Sequence, residues 1–505
     1  SETDTFDGLR EFVFRHQVLH QVAYDSVLKR QRREYHALVA AWLAELGGAR
    51  TGDILGLTAE HFERAGDDAR ACEFFCRAAE YASARFANAE MMAHVARALA
   101  LAAPDDAATL WRLLVVRESY LRYKDDQAAH ASDLETLQSL ADALGDDARR
   151  AEVAFCRAST HIVRGEHVAV EAEARLAIAL ADGAGEHALA AQAACALAEA
   201  LIRQGLYGMA QEVVDKHLPL ARSHGDTKNE TLLLNIVGLI AMERGDLMRA
   251  AQSFEQSLAM DRVSGNLSRQ SVELNNLGAI YSLLGDYERA RAHLDDGLRV
   301  ARDVGRRDAE ASVLVNLASV TNLQGDDSST LAYANTAHEI ATGCGQRDLV
   351  AYARLVGGHA ELALGRHTEA AAAYRQSRDQ LLELQMRRQQ VLDPVAGLAR
   401  VALVQGDLPA AVEQVELILA HMAAGGTFDG TEEPLRLPLT CFQVLRAAGD
   451  PRAAEVLASV HAELQEQAER ISDPAARRSF LQNVPHNREI MAAWAGRSGE
   501  IARAG

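Results

Sequence analysis

The chain has 505 residues, a formal net charge of −19 and only 5% aromatic residues. That length exceeds what one hydrophobic core serves, the acidic balance argues against nucleic acid as the main partner, and no apolar run is long enough to span a bilayer. The six cysteines form no CxxC pair; Cys72 and Cys76 stand one helical turn apart without a matching His/Cys pair elsewhere, which reads as buried reduced thiols in a cytoplasmic protein rather than a metal site.

In chain order, Glu11–His16 reads as a short strand, and Gln17–Leu28 and Gln31–Leu46 as two helices broken near Lys29–Arg30. Lys29, Arg30, Arg32 and Arg33 make the one dense basic run, which reads as a solvated helix face or a docking patch. From Thr51 the pattern changes. His61–Gly66 with Asp67–Phe75 marks a first hairpin turn, and Glu80–Ala103 reads as continuous helix. Turn glycines then recur every 20 residues from Gly145 to Gly365, followed by Gly406 and Gly449. Between them apolar residues sit three and four apart, as at Leu274, Leu277, Tyr281 and Leu284. Glycine supplies the positive-φ residue that ends a helix, and the Asp that often follows caps the next one.

Two such segments make a helical hairpin with a 40-residue period. Gly238 with Ala250, and Gly278 with Ala290, flank their turns at offsets that face each other, so the helices can approach closely beside Phe254, Tyr281 and Leu294. This small–aromatic–Ala–Phe pattern resembles the tetratricopeptide repeat, at a period longer than that family's usual ~34 residues. The expected fold is all-α: a tetratricopeptide-like right-handed superhelical solenoid of about ten hairpins over 51–470. A winged-helix remnant is expected at 1–50 and capping helices at 471–505. The stretch 421–439, with its Gly, Thr and two Pro, reads as a loop; Ser472-Asp473-Pro474 starts a helix that Pro485 ends.

Phe14-Arg15-His16, Ala23-Tyr24, the basic run and Tyr35-His36 together resemble the end of the winged-helix domain of bacterial STAND-type signalling ATPases. The group resembled is the one associated with class III nucleotide cyclases and AAA-type ATPases. GTxDGTEEP and RRSFLxNVPxxREI resemble that group's chain end. The resemblance implies that His16 contacts nucleotide phosphate in a parent protein, and that the basic run docks on the parent's own N-terminal ATPase domain. The chain holds no GxxxxGKS/T phosphate loop. ATP or ADP and Mg are therefore expected only in a parent ATPase domain, with no cofactor, metal or enzyme activity in this chain.

No nucleophile–base–acid set and no metal-ligand spacing stands out. The remaining candidate is the face of the first helix of each pair, the lining of a concave groove. The register places Glu199, Asn235, Leu239, Val272, Asn276, Ser312, Asn316, Ser319, Tyr352 and His359 there. Asparagine is a mediocre helix former. Repeated on one face, it either clamps the backbone of an extended ligand or bonds neighbouring helices. The expected function is a sensor or scaffold arm that binds a protein or peptide and thereby regulates an N-terminal ATPase and effector. The alternatives are a constitutive adaptor and a self-association module that forms a homo-oligomer, its groove empty or filled by its own tail.

Overall fold

The computed structural model describes residues 2–3, 11–12, 17–46, 51–85, 87–122, 124, 126–384 and 386–504; residues 2–3, 11–12, 17, 46, 51–53 and 498–504 are described by backbone alone. Phe14, Arg15 and His16 lie outside the described residues. Two compact units divide the chain at Leu189 and Ala190. The first holds an antiparallel pair, β1 (Glu2–Thr3) and β2 (Glu11–Phe12). Its helices are α1 (Gln17–Ser26), α2 (Lys29–Leu46), α3 (Thr51–Ala65), α4 (Asp68–Ala84), α5 (Asn88–Leu101), α6 (Ala107–Leu121), α7 (Gln127–Leu144), α8 (Asp147–Arg164) and α9 (His167–Ala184), with α10 (His187–Arg203) carrying the chain onward. The second unit continues with α11 (Tyr207–Ser223), α12 (Thr227–Glu243), α13 (Leu247–Ser264), α14 (Leu267–Leu283), α15 (Tyr287–Asp303), α16 (Arg307–Gln324), α17 (Asp327–Gly343), α18 (Arg347–Ala363) and α19 (His367–Glu383). It ends with α20 (Arg388–Val404), α21 (Leu408–Ala423), α22 (Arg436–Ala447), α23 (Ala453–Arg470), α24 (Pro474–Gln482) and α25 (Pro485–Ala504).

The chain is nearly all helix, a solenoid of antiparallel pairs. Gly245 shows how a pair turns. It adopts φ +72°, its N–H reaches Met242 O at 2.9 Å, and the Asp246 N–H reaches Ala241 O at 2.8 Å. The Asp246 carboxylate then accepts from the Arg249 N–H at 3.2 Å, capping α13. The pairs close where a side chain is missing. A Cβ at Gly238 would run into Phe254, and one at Gly278 into Leu294, while Ala250 and Ala290 are fully buried opposite them. In the later pairs Tyr374 fills the same role, wedged against Gly358 of α18 and Gly397 of α20.

Three boundaries differ from the sequence expectation. The break in the first helical stretch falls at Val27–Leu28, two residues early. The helix expected over 80–103 is interrupted between α4 and α5, because Met91, Val95 and Ala98 must turn back to pack on Phe75, Cys76 and Ala79. The loop is confined to 424–435. Pro438 sits in the first turn of α22, where its missing N–H leaves no bond unmade. His421 remains in α21, and its Nε2 donates to Thr427 O at 2.8 Å.

The C-terminal helices do more than end the stack. Arg470 donates to Arg244 O at 3.2 Å, Asn483 Nδ2 donates to Gly285 O at 3.0 Å, and Tyr287 Oη donates to Asn483 O at 3.4 Å. They thus cover turns of the unit's early hairpins, about 200 residues back in sequence, and Phe480, Ile490 and Trp494 join the same core.

If close approach at Gly278 holds the hairpin, Gly278→Ala should destabilise the chain by about 1–3 kcal/mol in urea unfolding. Gly343→Ala, at a helix end with open space around it, should leave the midpoint unchanged or raise it. Equal midpoints for the two variants would contradict this helix register.

Candidate functional site

Counting from α12, the first, or A, helices of the second unit's pairs are α12, α14, α16, α18, α20 and α22, and consecutive ones pack closely from α14 onward. Polar residues bridge them. Asn235 of α12 is buried and donates Nδ2 to both oxygens of Glu273 on α14, at 3.1 and 3.0 Å. Glu273 also accepts from Ser257 Oγ at 2.8 Å and from Arg269 at 2.7 Å. Burial raises its pKa against the pull of Arg269 and these donors. One hairpin on, Asn275 Nδ2 donates to Ser312 Oγ at 3.3 Å, and Asn316 Nδ2 donates to Asn275 Oδ1 at 2.9 Å.

Of the two roles left open for the repeated asparagines, Asn235 and Asn316 take the one that bonds neighbouring helices. Asn235 pairs in register with Asn275, 40 residues on, and both hold neighbouring A helices together. Asn276 is half-buried and bonds no other side chain among the described residues. Val272 and Leu239 are also half-buried, Leu239 against the core. Ser319 Oγ is buried without a partner among the described residues, and Glu199 is exposed.

The A helices curve tightly. Arg387, just before α20, meets Glu243 at the end of α12 at 3.2 Å, although the two are 144 residues apart. Tyr207 completes the set, donating to Glu243 at 2.7 Å and bonded by Arg387. Gly430 lies against this triad with φ +78°, where any Cβ would strike the Arg387 guanidinium. The loop 424–435 therefore enters the inside of the curve. Phe428 is buried; Gln389 of α20 donates to Asp429 O at 3.2 Å, and the Glu432 N–H donates to Asp393 Oδ2 at 3.2 Å.

Beyond it, Glu433 pairs with Arg436, with His486 Nδ1 at 3.8 Å and His359 Nε2 at 3.9 Å. His359 shares a 2.7 Å hydrogen bond with Tyr374 Oη, and Arg400 donates to it at 3.3 Å and to Thr440 at 3.2 Å. Tyr352 accepts from Gln390 at 3.0 Å. Arg400, Arg436, His486, Glu433 and Glu489 line a cavity of 170 Å³. Of the groove residues read from sequence, Tyr352 and His359 both bond residues of α20, while Asn235, Ser312 and Asn316 bond neighbouring A helices. The missed residues are Asn275, Arg387, Asp393, Arg400 and Glu433. Asn275 stands at the repeat distance from Asn235, Arg400 stands about one period from both His359 and Thr440, and Glu433 lies in the GTxDGTEEP stretch, so these carried a signal; Arg387 carried none, because its partners are set by the curvature.

The electrostatics of the loop are divided. Burial acts to raise the Glu433 pKa, but Arg436 and the two imidazoles hold it far below the carboxylate range. Burial, aided by Arg436 and Arg400, keeps His359 well below its ordinary value, and burial takes His486 to about 4. Glu432 goes the other way: burial and Glu433 push it up to about 7. Burial and Glu432 likewise raise Asp393.

Residues 228–303 match the tetratricopeptide repeat family model, and they are the two hairpins α12–α15. This stretch is a tetratricopeptide repeat region. Comparison with curated proteins found no match. Among solved structures, the APC/C hetero-tetramer Cut9-Hcn1 aligns with a TM-score of 0.50 at 11% identity, over 85% of this chain and 76% of that one. A signal transduction ATPase with numerous domains and a tetratricopeptide repeat sensor, from Pyrococcus horikoshii, aligns with a TM-score of 0.45 at 12% identity, over 93% and 68%. NprR in complex with its cognate peptide NprX aligns with a TM-score of 0.44 at 13% identity, over 76% and 98%. At such identity the first of these likenesses shows a shared fold.

In the first unit, Tyr24, His36 and His61 form a chain of hydrogen bonds between helices. Tyr24 Oη bonds His36 Nε2 at 2.8 Å, and His36 Nδ1 bonds His61 Nδ1 at 2.9 Å. The basic run is partly paired: Arg32 with Asp25 at 3.3 Å and Arg30 with Glu34 at 3.1 Å. Among the described residues no group of three His, Cys, Asp or Glu could hold a metal, and no helix is long and apolar enough to cross a membrane. Burial pushes the Cys76 thiol up to about 12.

The raised Glu432 pKa has a definite sign. Unfolded, the group titrates near 4.5; folded, near 7. Its contribution is full below pH 4.5 and is lost as pH rises to about 7. Glu432→Gln removes that loss, so the variant should gain stability on the wild type across this window and run parallel above it. Thermal melts at pH 4, 5, 6, 7 and 8 measure the difference; profiles parallel throughout would contradict the placement of Glu432.

Proposed function

We propose that this chain is the sensor and scaffold arm of a STAND-type signalling ATPase, and that it binds a protein or peptide on the inner face of its A helices. Binding there regulates an ATPase domain and effector elsewhere in the parent protein, where ATP or ADP and Mg act. The observation that carries the binding reading is that this face already holds an irregular segment. Loop 424–435 lies on α18 and α20 through main-chain hydrogen bonds, one buried aromatic and one paired carboxylate. A surface that takes one irregular, turned segment has the donors, acceptors and curvature to take another. The link to a signalling ATPase rests on the stretch around Tyr24 and His36. A face filled by its own segment also suits the self-association reading, in which no foreign ligand enters.

A photo-cross-linking residue at Val272 on the A-helix face should capture partner proteins from lysate that the same residue at Val263, exposed on α13, does not. Asn276→Ala should weaken that capture roughly three- to tenfold, the loss of about one hydrogen bond. The same products from both positions, or none from Val272, would contradict the reading. Static light scattering on the purified chain separates self-association.

A further inference from the structure

Loop 424–435 is longer than the link from one hairpin to the next requires. It spans twelve residues between α21 and α22, where three (344–346) suffice between α17 and α18. Its placement has the form of a bound peptide. Gln389 and Asp393 of α20 read its backbone at Asp429 and Glu432, at 3.2 Å each. The Phe428 ring is buried in the core, and five residues later the Glu433 carboxylate sits among Arg436, His359 and His486.

The fit is imperfect at one residue. Glu432, held by its N–H on Asp393 Oδ2 at 3.2 Å, stands next to Glu433 in the chain and has no ion pair of its own among the described residues. Two carboxylates in one poorly hydrated site oppose each other. Beside Glu433 the cavity of 170 Å³ remains, lined by Arg400, Arg436 and His486. The internal segment therefore holds the site at a cost that a segment without the acid at this position escapes.

We propose that residues 427–434 are a built-in, displaceable occupant of a peptide site on α18 and α20, and that this site takes in trans a segment that turns as 428–431 does, with an aromatic residue five places before a carboxylate and a neutral residue just before that carboxylate. The proposal rests on the peptide-binding reading and narrows it to a ligand class. The tethered loop competes at an effective concentration of about millimolar, so the wild-type chain is closed to weak ligands and opens when the loop leaves.

The probe is a fluorescein-labelled peptide TFDGTQEP, followed by anisotropy. The chain with residues 427–434 replaced by a Gly-Ser linker of equal length should bind it at least tenfold more tightly than the wild type. The peptide TFDGTQQP, lacking the carboxylate, should bind that chain at least fivefold more weakly. No binding by a linker chain that melts cooperatively, or equal binding by wild type and linker chain, would overturn the proposal. If the linker chain does not fold, Glu433→Lys, which sets a positive charge against Arg436, takes its place with the same expectations. The Val272 cross-link keeps the two ideas apart: partner capture there without peptide binding overturns this inference alone, and loss of both overturns the peptide-binding reading as well.

Discussion

The close approach of the two helices in each hairpin is the constraint on which the second unit depends. Gly238, Gly278, Gly358 and Gly397 have no side chain where Phe254, Leu294 and Tyr374 need space. Close packing inside a pair, repeated with little variation, accumulates into curvature, because each pair is set against the next by the same small rotation. By the fifth A helix the curve has brought Arg387 to Glu243 and Tyr207. The inside of the curve is then narrow enough for a single segment, and one is there.

That narrowness changes what polar residues do. On an open groove, asparagines are free to meet a ligand. In this chain Asn235, Asn275 and Asn316 face other A helices closely enough to bond them, and Glu273 stays buried because Asn235, Ser257 and Arg269 satisfy it. Asn276, one position round the helix from Asn275, is left half-exposed. The same curvature makes the docked loop an electrostatic compromise: Arg436 welcomes Glu433, while Asp393 and Glu432 crowd one another.

The hairpin pattern was legible because it is local. A glycine every 20 residues and small residues at facing offsets are set within one repeat, and the turn at Gly245 and the contact at Gly278 follow directly. The break between α4 and α5 was not legible, since no glycine or proline marks it and only packing on Phe75 requires it. Tyr352 and His359 could be placed on the A face by register, and their partners Gln390 and Arg400 stand about one period on, on the next A helix. Glu433 and His486 come to His359 through the loop and the C-terminal helices, a relation that no period along the sequence encodes.

The binding role of the A-helix face requires segment 424–435 to be docked there in the native chain. The Glu432 amide reports on that docking directly, because it donates to Asp393. Hydrogen exchange resolved to single amides should show Glu432 protected well beyond the rate of the free peptide, with Asp393→Ala abolishing that protection. Exchange of Glu432 at the free-peptide rate in the wild-type chain would contradict the account.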